Sequence, residues 1–169
     1  MRKVILFIAT SLDGFIAGKS GEIDWLFTDQ DYGYTDFLKT IDVVIMGRKT
    51  YEQVLTFGEY PYSGMEGYVF SRSLAGSKDE NVRFVSGDVG ELVASLKSKP
   101  GKDIWLVGGS EVIQPFLEQD LIDQFVISIH PILLGKGIPL FREPFPVKKL
   151  RLKDCKTFDP GLVQITYMT

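Results

Sequence analysis

Apolar and polar positions alternate along the chain in two periods. Lys3 to Ala9 is an apolar, β-branched run that predicts a buried strand. Ser11-Leu12-Asp13-Gly14 breaks it, and Gly18, Ser20 and Gly21 extend a loop to Trp25. From Tyr32 the spacing of Tyr34, Phe37, Leu38 and Ile41 predicts a helix. Asp42 separates that helix from a second buried strand, Val43 to Met46. Gly47 ends the strand, and a short helix is expected over Thr50 to Leu55, then a Gly-, Pro- and Tyr-rich loop to Gly67. Tyr68 to Phe70 and Val82 to Val85 read as strands. Asp88 followed by Glu91 has the spacing of a capping box, and Val89, Leu92, Val93 and Leu96 form the apolar face of the helix behind it. Lys97, Lys99, Pro100 and Gly101 stop that helix. Asp103 to Val107 is a further strand, and Gly108-Gly109 leads into a helix with Val112, Ile113, Phe116 and Leu117 facing inward. Pro115 there predicts a kink or a delayed start. Phe125 to Ile129 is the next strand. Leu150 to Thr157 and Leu162 to Met168 alternate as a hairpin about Asp159-Pro160-Gly161. Strands alternating with helices predict one α/β domain over residues 1–169, with a largely parallel sheet covered on both faces and a closing antiparallel hairpin.

Composition agrees with that picture and removes several function classes. With 169 residues, 44% of them hydrophobic, the chain is long enough to build a core without disulfide or metal staples. No run approaches the ~20 apolar residues of a membrane helix. Arg2 and Lys3 precede an apolar stretch too short for a secretory core, so a cytoplasmic location is expected. Nineteen basic against twenty-two acidic residues give a net charge of −3, without the basic excess of a nucleic-acid binder. The single cysteine, Cys155, excludes an internal disulfide and a multi-cysteine zinc site, and its alternating segment predicts a buried strand position. The single histidine, His130, is the one base a Ser-His-Asp triad could use, and its place at the end of an apolar strand argues little for that role.

Chemistry concentrates at two strand-to-helix junctions, Met46-Gly47-Arg48-Lys49-Thr50 and Val107-Gly108-Gly109-Ser110-Glu111. A helix N-terminus offers free N–H groups and partial positive charge, and glycine lets an anion approach the backbone. Arg48 and Lys49 add charge and Thr50 a hydroxyl. Ser71-Arg72-Ser73 ends a strand with a guanidinium and two hydroxyls, which beside Arg48 would hold a further phosphate. Taken singly, each segment also reads as an ordinary turn. Neither junction is a Walker loop or a G-x-G-x-x-G fingerprint.

The order of these motifs resembles the dihydrofolate reductase superfamily. The Ser-Leu-Asp-Gly loop, Trp25, and Val44 through Glu52 carry the first half of the likeness, and Trp105 to Val112 resembles that superfamily's Gly-Gly cofactor motif. Asp123-Gln124-Phe125 and Pro131 to Phe141 are similar to the branch containing the riboflavin-pathway reductase, which occurs fused to a deaminase. The resemblance implies a three-layer fold, with a mostly parallel sheet of about eight strands and an antiparallel C-terminal strand. It also implies NADPH as hydride donor. Gly47, Arg48, Lys49 and Thr50 would meet the adenosine phosphates, and Ser71, Arg72 and Ser73 the 2′-phosphate. Gly108, Gly109, Ser110, Glu111 and Val112 would wrap the pyrophosphate, and Ala9 and Ile16 would line the nicotinamide pocket. Phe7, Trp25, Phe37, Leu38 and Ser128 would face the second substrate. The segment Pro131 to Phe141 would extend a sheet edge and pair two subunits as a homodimer.

The sequence also departs from both relatives. Folate reductases follow their tryptophan with Leu-Pro and a proton-donating acid. Here Trp25 is followed by Leu26-Phe27-Thr28-Asp29-Gln30-Asp31, and Asp31 is the nominal catalytic acid. Phe15 stands where the riboflavin enzyme usually has lysine, Tyr51 to Gly58 lacks its Asp-x-Pro-x-Leu element, and no deaminase zinc ligands are present. The implied activity is NADPH-dependent hydride transfer to a small heterocyclic or carbonyl substrate. That substrate would be pterin- or ribosylaminopyrimidine-like, of the 5-amino-6-(5-phosphoribosylamino)uracil reductase type. The loop Ser11 to Gly21 would be a lid, Trp25 would cap the pocket with its indole N–H free for a water, and an ordered water could supply the proton. The alternatives are a non-catalytic nucleotide-binding protein on the same fold and a true dihydrofolate reductase.

Overall fold

A computed structural model describes residues 1–169. Ten strands and four helices follow in the order β1 (Val4–Ser11), β2 (Phe15–Ala17), α1 (Tyr34–Lys39), β3 (Ile41–Gly47), α2 (Arg48–Leu55), β4 (Glu66–Phe70), β5 (Val82–Val85), α3 (Val89–Lys97), β6 (Asp103–Gly108), α4 (Ser110–Glu118), β7 (Gln124–His130), β8 (Ile138–Pro139), β9 (Arg151–Phe158) and β10 (Leu162–Met168). Eight strands form one sheet in the order β5-β4-β3-β6-β1-β7-β10-β9. Neighbours are parallel except where β10 runs antiparallel to both β7 and β9. This is the dihydrofolate-reductase-like architecture that the sequence implies.

Central parallel strands are buried on both faces, which is why β3 is almost wholly apolar. Val43 and Ile45 enter the core beneath α3 and α4, while Val44 and Met46 enter the core shared with α2. Ile41 joins the second core although it lies two residues before Val43, because the β3–β6 register shifts between them. Asp42, at that irregularity, pairs with buried Arg2 and accepts the Lys102 N–H at 2.9 Å. Asp88 caps α3 as its spacing predicts, accepting the Glu91 N–H at 3.0 Å.

Three expectations need correction. Helix α2 begins at Arg48 rather than Thr50, directly after extended Gly47. Helix α4 does not start late: it begins at Ser110 and runs through Pro115. The proline, lacking an N–H, leaves free the carbonyl of Glu111, an exposed residue. Cys155 is exposed, not buried, because β9 is an edge strand whose residues 151–157 are all exposed. Within Pro131 to Phe141, β8 pairs with β2, the Leu140 N–H donates to Gly14 O at 2.9 Å and Leu140 is buried, while Leu133 stays exposed. No helix is long and apolar enough to cross a membrane.

Candidate active site

The four helices divide between the two faces of the sheet, and this division creates the site. Helix α2 leaves β3 toward one face and α4 leaves β6 toward the other, although β3 and β6 are adjacent and parallel. A crevice opens at such a switch point, at the carboxyl ends of the strands. The two helix starts nearly touch there. A Cβ on Gly47 would lie 4.0 Å from both Gly108 O and Gly109 N, and one on Gly109 would lie 3.4 Å from Thr50 Oγ1. Glycine at both positions keeps the free N–H groups of α2 and α4 open to a single ligand.

A cleft of about 1620 Å³ runs over this point. Its walls include Gly47, Arg48, Lys49 and Thr50 from the first junction, Gly109 to Val112 from the second, and Ser71, Arg72 and Ser73 from the end of β4. Ala9 and Ile16 also line it. Every residue assigned to the cofactor from sequence thus meets in one space, save Gly108, which is buried behind it. Five cations (Lys19, Arg48, Lys49, Arg72, Arg142) face three carboxylates (Glu52, Asp88, Glu111) along these walls, although the whole chain is net −3. That local excess suits a polyanion. Arg48 Nη1 donates to Ser73 Oγ at 3.0 Å, so α2 and the β4 loop form one cluster, and Lys49 reaches Glu111 across the crevice at 3.2 Å.

The lid is a clasp made of two segments. Ser11 itself belongs to β1 and is buried, so the loop begins at Leu12. Asp13 accepts the Ser11 hydroxyl at 2.6 Å and the N–H groups of Leu134 and Gly135 at 3.1 and 2.7 Å. These bonds, the Ser11 hydroxyl first, hold its carboxyl below the usual carboxylate range. Gln53 of α2 donates to Gly21 O at 2.9 Å and ties the lid to the cleft wall. Sequence reasoning missed the β2–β8 pair, and with it Gly137, Ile138, Pro139 and Arg142 as cleft residues.

The residues assigned to the second substrate lie outside that cleft, on the α1 side of the sheet. Phe7 stacks on Phe37 with ring centroids 4.3 Å apart, and Leu38 packs against the same core. Ser128 sits beside Ala9 in the β1–β7 ladder. Trp25 departs from expectation: its indole N–H donates to Glu22 O at 3.2 Å, and its ring meets His130 edge-on at 5.2 Å. Asp31 is exposed, and its carboxylate holds the Thr35 N–H and hydroxyl at the start of α1. His130 is buried; Nε2 accepts the Phe27 N–H at 3.2 Å and Nδ1 donates to Ser128 O at 3.3 Å. Burial lowers its pKa from the ordinary 6.5, consistent with a neutral ring.

Residues 2–164 match the family model described as the RibD C-terminal domain. The chain belongs to the RibD C-terminal domain family. An uncharacterised relative within reach of this RibD-type domain, YwjB of Bacillus subtilis, is 44% identical over 99% of the chain and 98% of its own length. A provisionally named riboflavin biosynthesis protein from Shewanella sp. PV-4 has a crystal structure that superposes with a TM-score of 0.88 at 35% identity, covering 98% of each chain. The deaminase and 5-amino-6-(5-phosphoribosylamino)uracil reductase of Thermotoga maritima shares the fold, with a TM-score of 0.74 at 17% identity. This RibD-type domain covers 99% of its own chain in that match and 56% of the Thermotoga protein. The family is one of riboflavin-pathway reductases, so the cleft belongs to an oxidoreductase domain.

Proposed function

We propose that the protein is an NADPH-dependent reductase that delivers hydride to a small heterocyclic or carbonyl substrate of the ribosylaminopyrimidine or pterin type. The observation that carries this reading is the convergence of two helix N-termini, Arg48, Ser71, Arg72 and Ser73 on one cationic cleft. The residues present fit a dinucleotide. The starts of α2 and α4 offer N–H groups to its phosphates, and Arg48 and Arg72 supply guanidinium groups for a ribose phosphate that NADH lacks. The nicotinamide ring supplies the hydride when bound. Ala9 and Ile16 line the cleft where that ring would lie, and the clasp of β2 and β8 excludes water from it. Phe7, Phe37 and Leu38 hold the substrate ring against the other side of Ala9, so positioning lowers most of the barrier. Asp31 is engaged at the start of α1, so solvent delivers the proton. The same reading expects a homodimer.

The test is oxidation of NADPH in the presence of 5-amino-6-(5-phosphoribosylamino)uracil, followed by the loss of cofactor absorbance and by mass spectrometry of the product. The expected outcome is stoichiometric oxidation and a product two hydrogens heavier. Protein that holds NADPH but never oxidises it, with carbonyl and pterin acceptors also tried, would be the non-catalytic binder instead.

A further inference from the structure

Three adjacent strands place Ala9, Ser128 and Gln164 in one row on the α1 side of the sheet. Ala9 is the register partner of Ser128 in the β1–β7 ladder, and Ser128 that of Gln164 in the β7–β10 ladder. Strands lie about 4.8 Å apart, so the row runs from the cofactor cleft across roughly two strand spacings. Ser128 and Gln164 are more than nine-tenths buried, with 6% and 8% of their surface exposed.

The hydrogen bonding of this pair is incomplete in a directional way. Gln164 Nε2 donates to Ser128 Oγ at 3.0 Å and to Tyr32 O at 3.2 Å. Both amide hydrogens are thereby used, and the Tyr32 carbonyl fixes the orientation of the amide, since a flipped amide would oppose two carbonyl oxygens. Ser128 Oγ already accepts, so its own hydrogen is free to donate. No protein group takes that hydrogen, and none donates to Gln164 Oε1. The pair therefore presents one donor beside one acceptor, and Gln164 Oε1 is not one of the enclosed unpartnered oxygens (those are Tyr60 Oη and Gln114 Oε1), so it is open to a ligand. Helix α1 lies over this part of the sheet but buries none of its own residues, and Phe7 and Ala9 keep part of their surface exposed although their strand is central, so this face of the sheet is not sealed by the helix.

We infer that Ser128 and Gln164 form a specificity-determining pair that reads the lactam edge of the substrate ring. The Ser128 hydroxyl donates to the ring carbonyl, and the Gln164 carbonyl accepts the adjacent ring N–H. A ring alkylated at nitrogen loses the second bond and leaves Gln164 Oε1 unpaired. This inference rests on the reductase reading, because it places the substrate against Ala9 at the cofactor end of the cleft.

The experiment compares binding of 5,6-diaminouracil and 5,6-diamino-1,3-dimethyluracil to the NADPH-saturated protein by calorimetry. The wild-type protein is expected to favour the unmethylated ring about tenfold, the effect of one buried hydrogen bond. Gln164→Met is expected to reduce that preference to about twofold or less, with NADPH affinity unchanged. Ser128→Ala removes the bond to a ring carbonyl that both uracils carry, so it is expected to weaken both about equally and to keep the preference, which separates the two roles. Equal binding of the two uracils by the wild type overturns the inference. So does binding of neither while NADPH is held, a preference that survives Gln164→Met, or unchanged affinity for both uracils in Ser128→Ala; these results leave the reductase reading standing. Wild-type protein that fails to hold NADPH overturns the reductase reading and this inference with it.

Discussion

His130 shows how one buried side chain couples the substrate side of the sheet to pH. Its Nε2 accepts the Phe27 N–H, so protonation there would set two donors against each other. Burial lowers its pKa in the folded protein below the unfolded value near 6.5. Between those two values the unfolded chain binds the extra proton, so stability rises with pH and is lost as pH falls through the folded pKa. Thermal melting at about pH 7.5 and about pH 5.5 is expected to show a larger drop for the wild type than for His130→Gln. Equal drops would mean that carboxylates account for the whole effect. At this scale the sequence was legible for the convergence of Arg48, Thr50, Ser71 and Gly109 on one cleft, since each lies within a recognisable motif. It was not legible for Gln164. In β10, Val163 and Ile165 alternate with Gln164 and Thr166, which looks like an apolar inner face and a polar outer one. Both faces of that strand are in fact covered, and the polar position is buried under Tyr32.

Among elements, the central ones were the readable ones. β3, β6 and α3 are set by local apolar runs and a cap, and the structure reproduces them with small changes at their ends. The β2–β8 pair was invisible because strands of three and two residues carry no periodicity, and their pairing is fixed by Asp13 reaching across to Leu134 and Gly135. Cys155 was misplaced for a related reason: alternation reports a strand but not whether anything covers it. Strand β9 forms a sheet edge, and Phe145, Val147, Leu150 and Leu152 expose apolar surface on it and on the segment leading to it. A homodimer is expected to cover this apolar surface. Light scattering should then report twice the 19.0 kDa chain mass, and Leu152→Lys should return it toward one chain. A wild-type monomer at micromolar concentration would contradict the dimer.

For the whole molecule, the decisive fact is topological. Strands β3 and β6 are neighbours in space, but α2, β4, β5 and α3 all lie between them in the chain. The sequence shows two glycine-containing helix starts some sixty residues apart, and only the sheet order makes them one site. The cationic cleft, the clasp over it and the polar row toward Gln164 then follow from which strand ends converge. The most direct test of this account is a titration of the purified protein with NADPH and with NADH, followed by quenching of tryptophan fluorescence and repeated on Arg48→Ala. The account predicts tight NADPH binding, much weaker NADH binding, and an Arg48→Ala protein that loses about tenfold in NADPH affinity and little in NADH affinity. Equal affinity for the two cofactors, or an equal effect of the substitution on both, would contradict it.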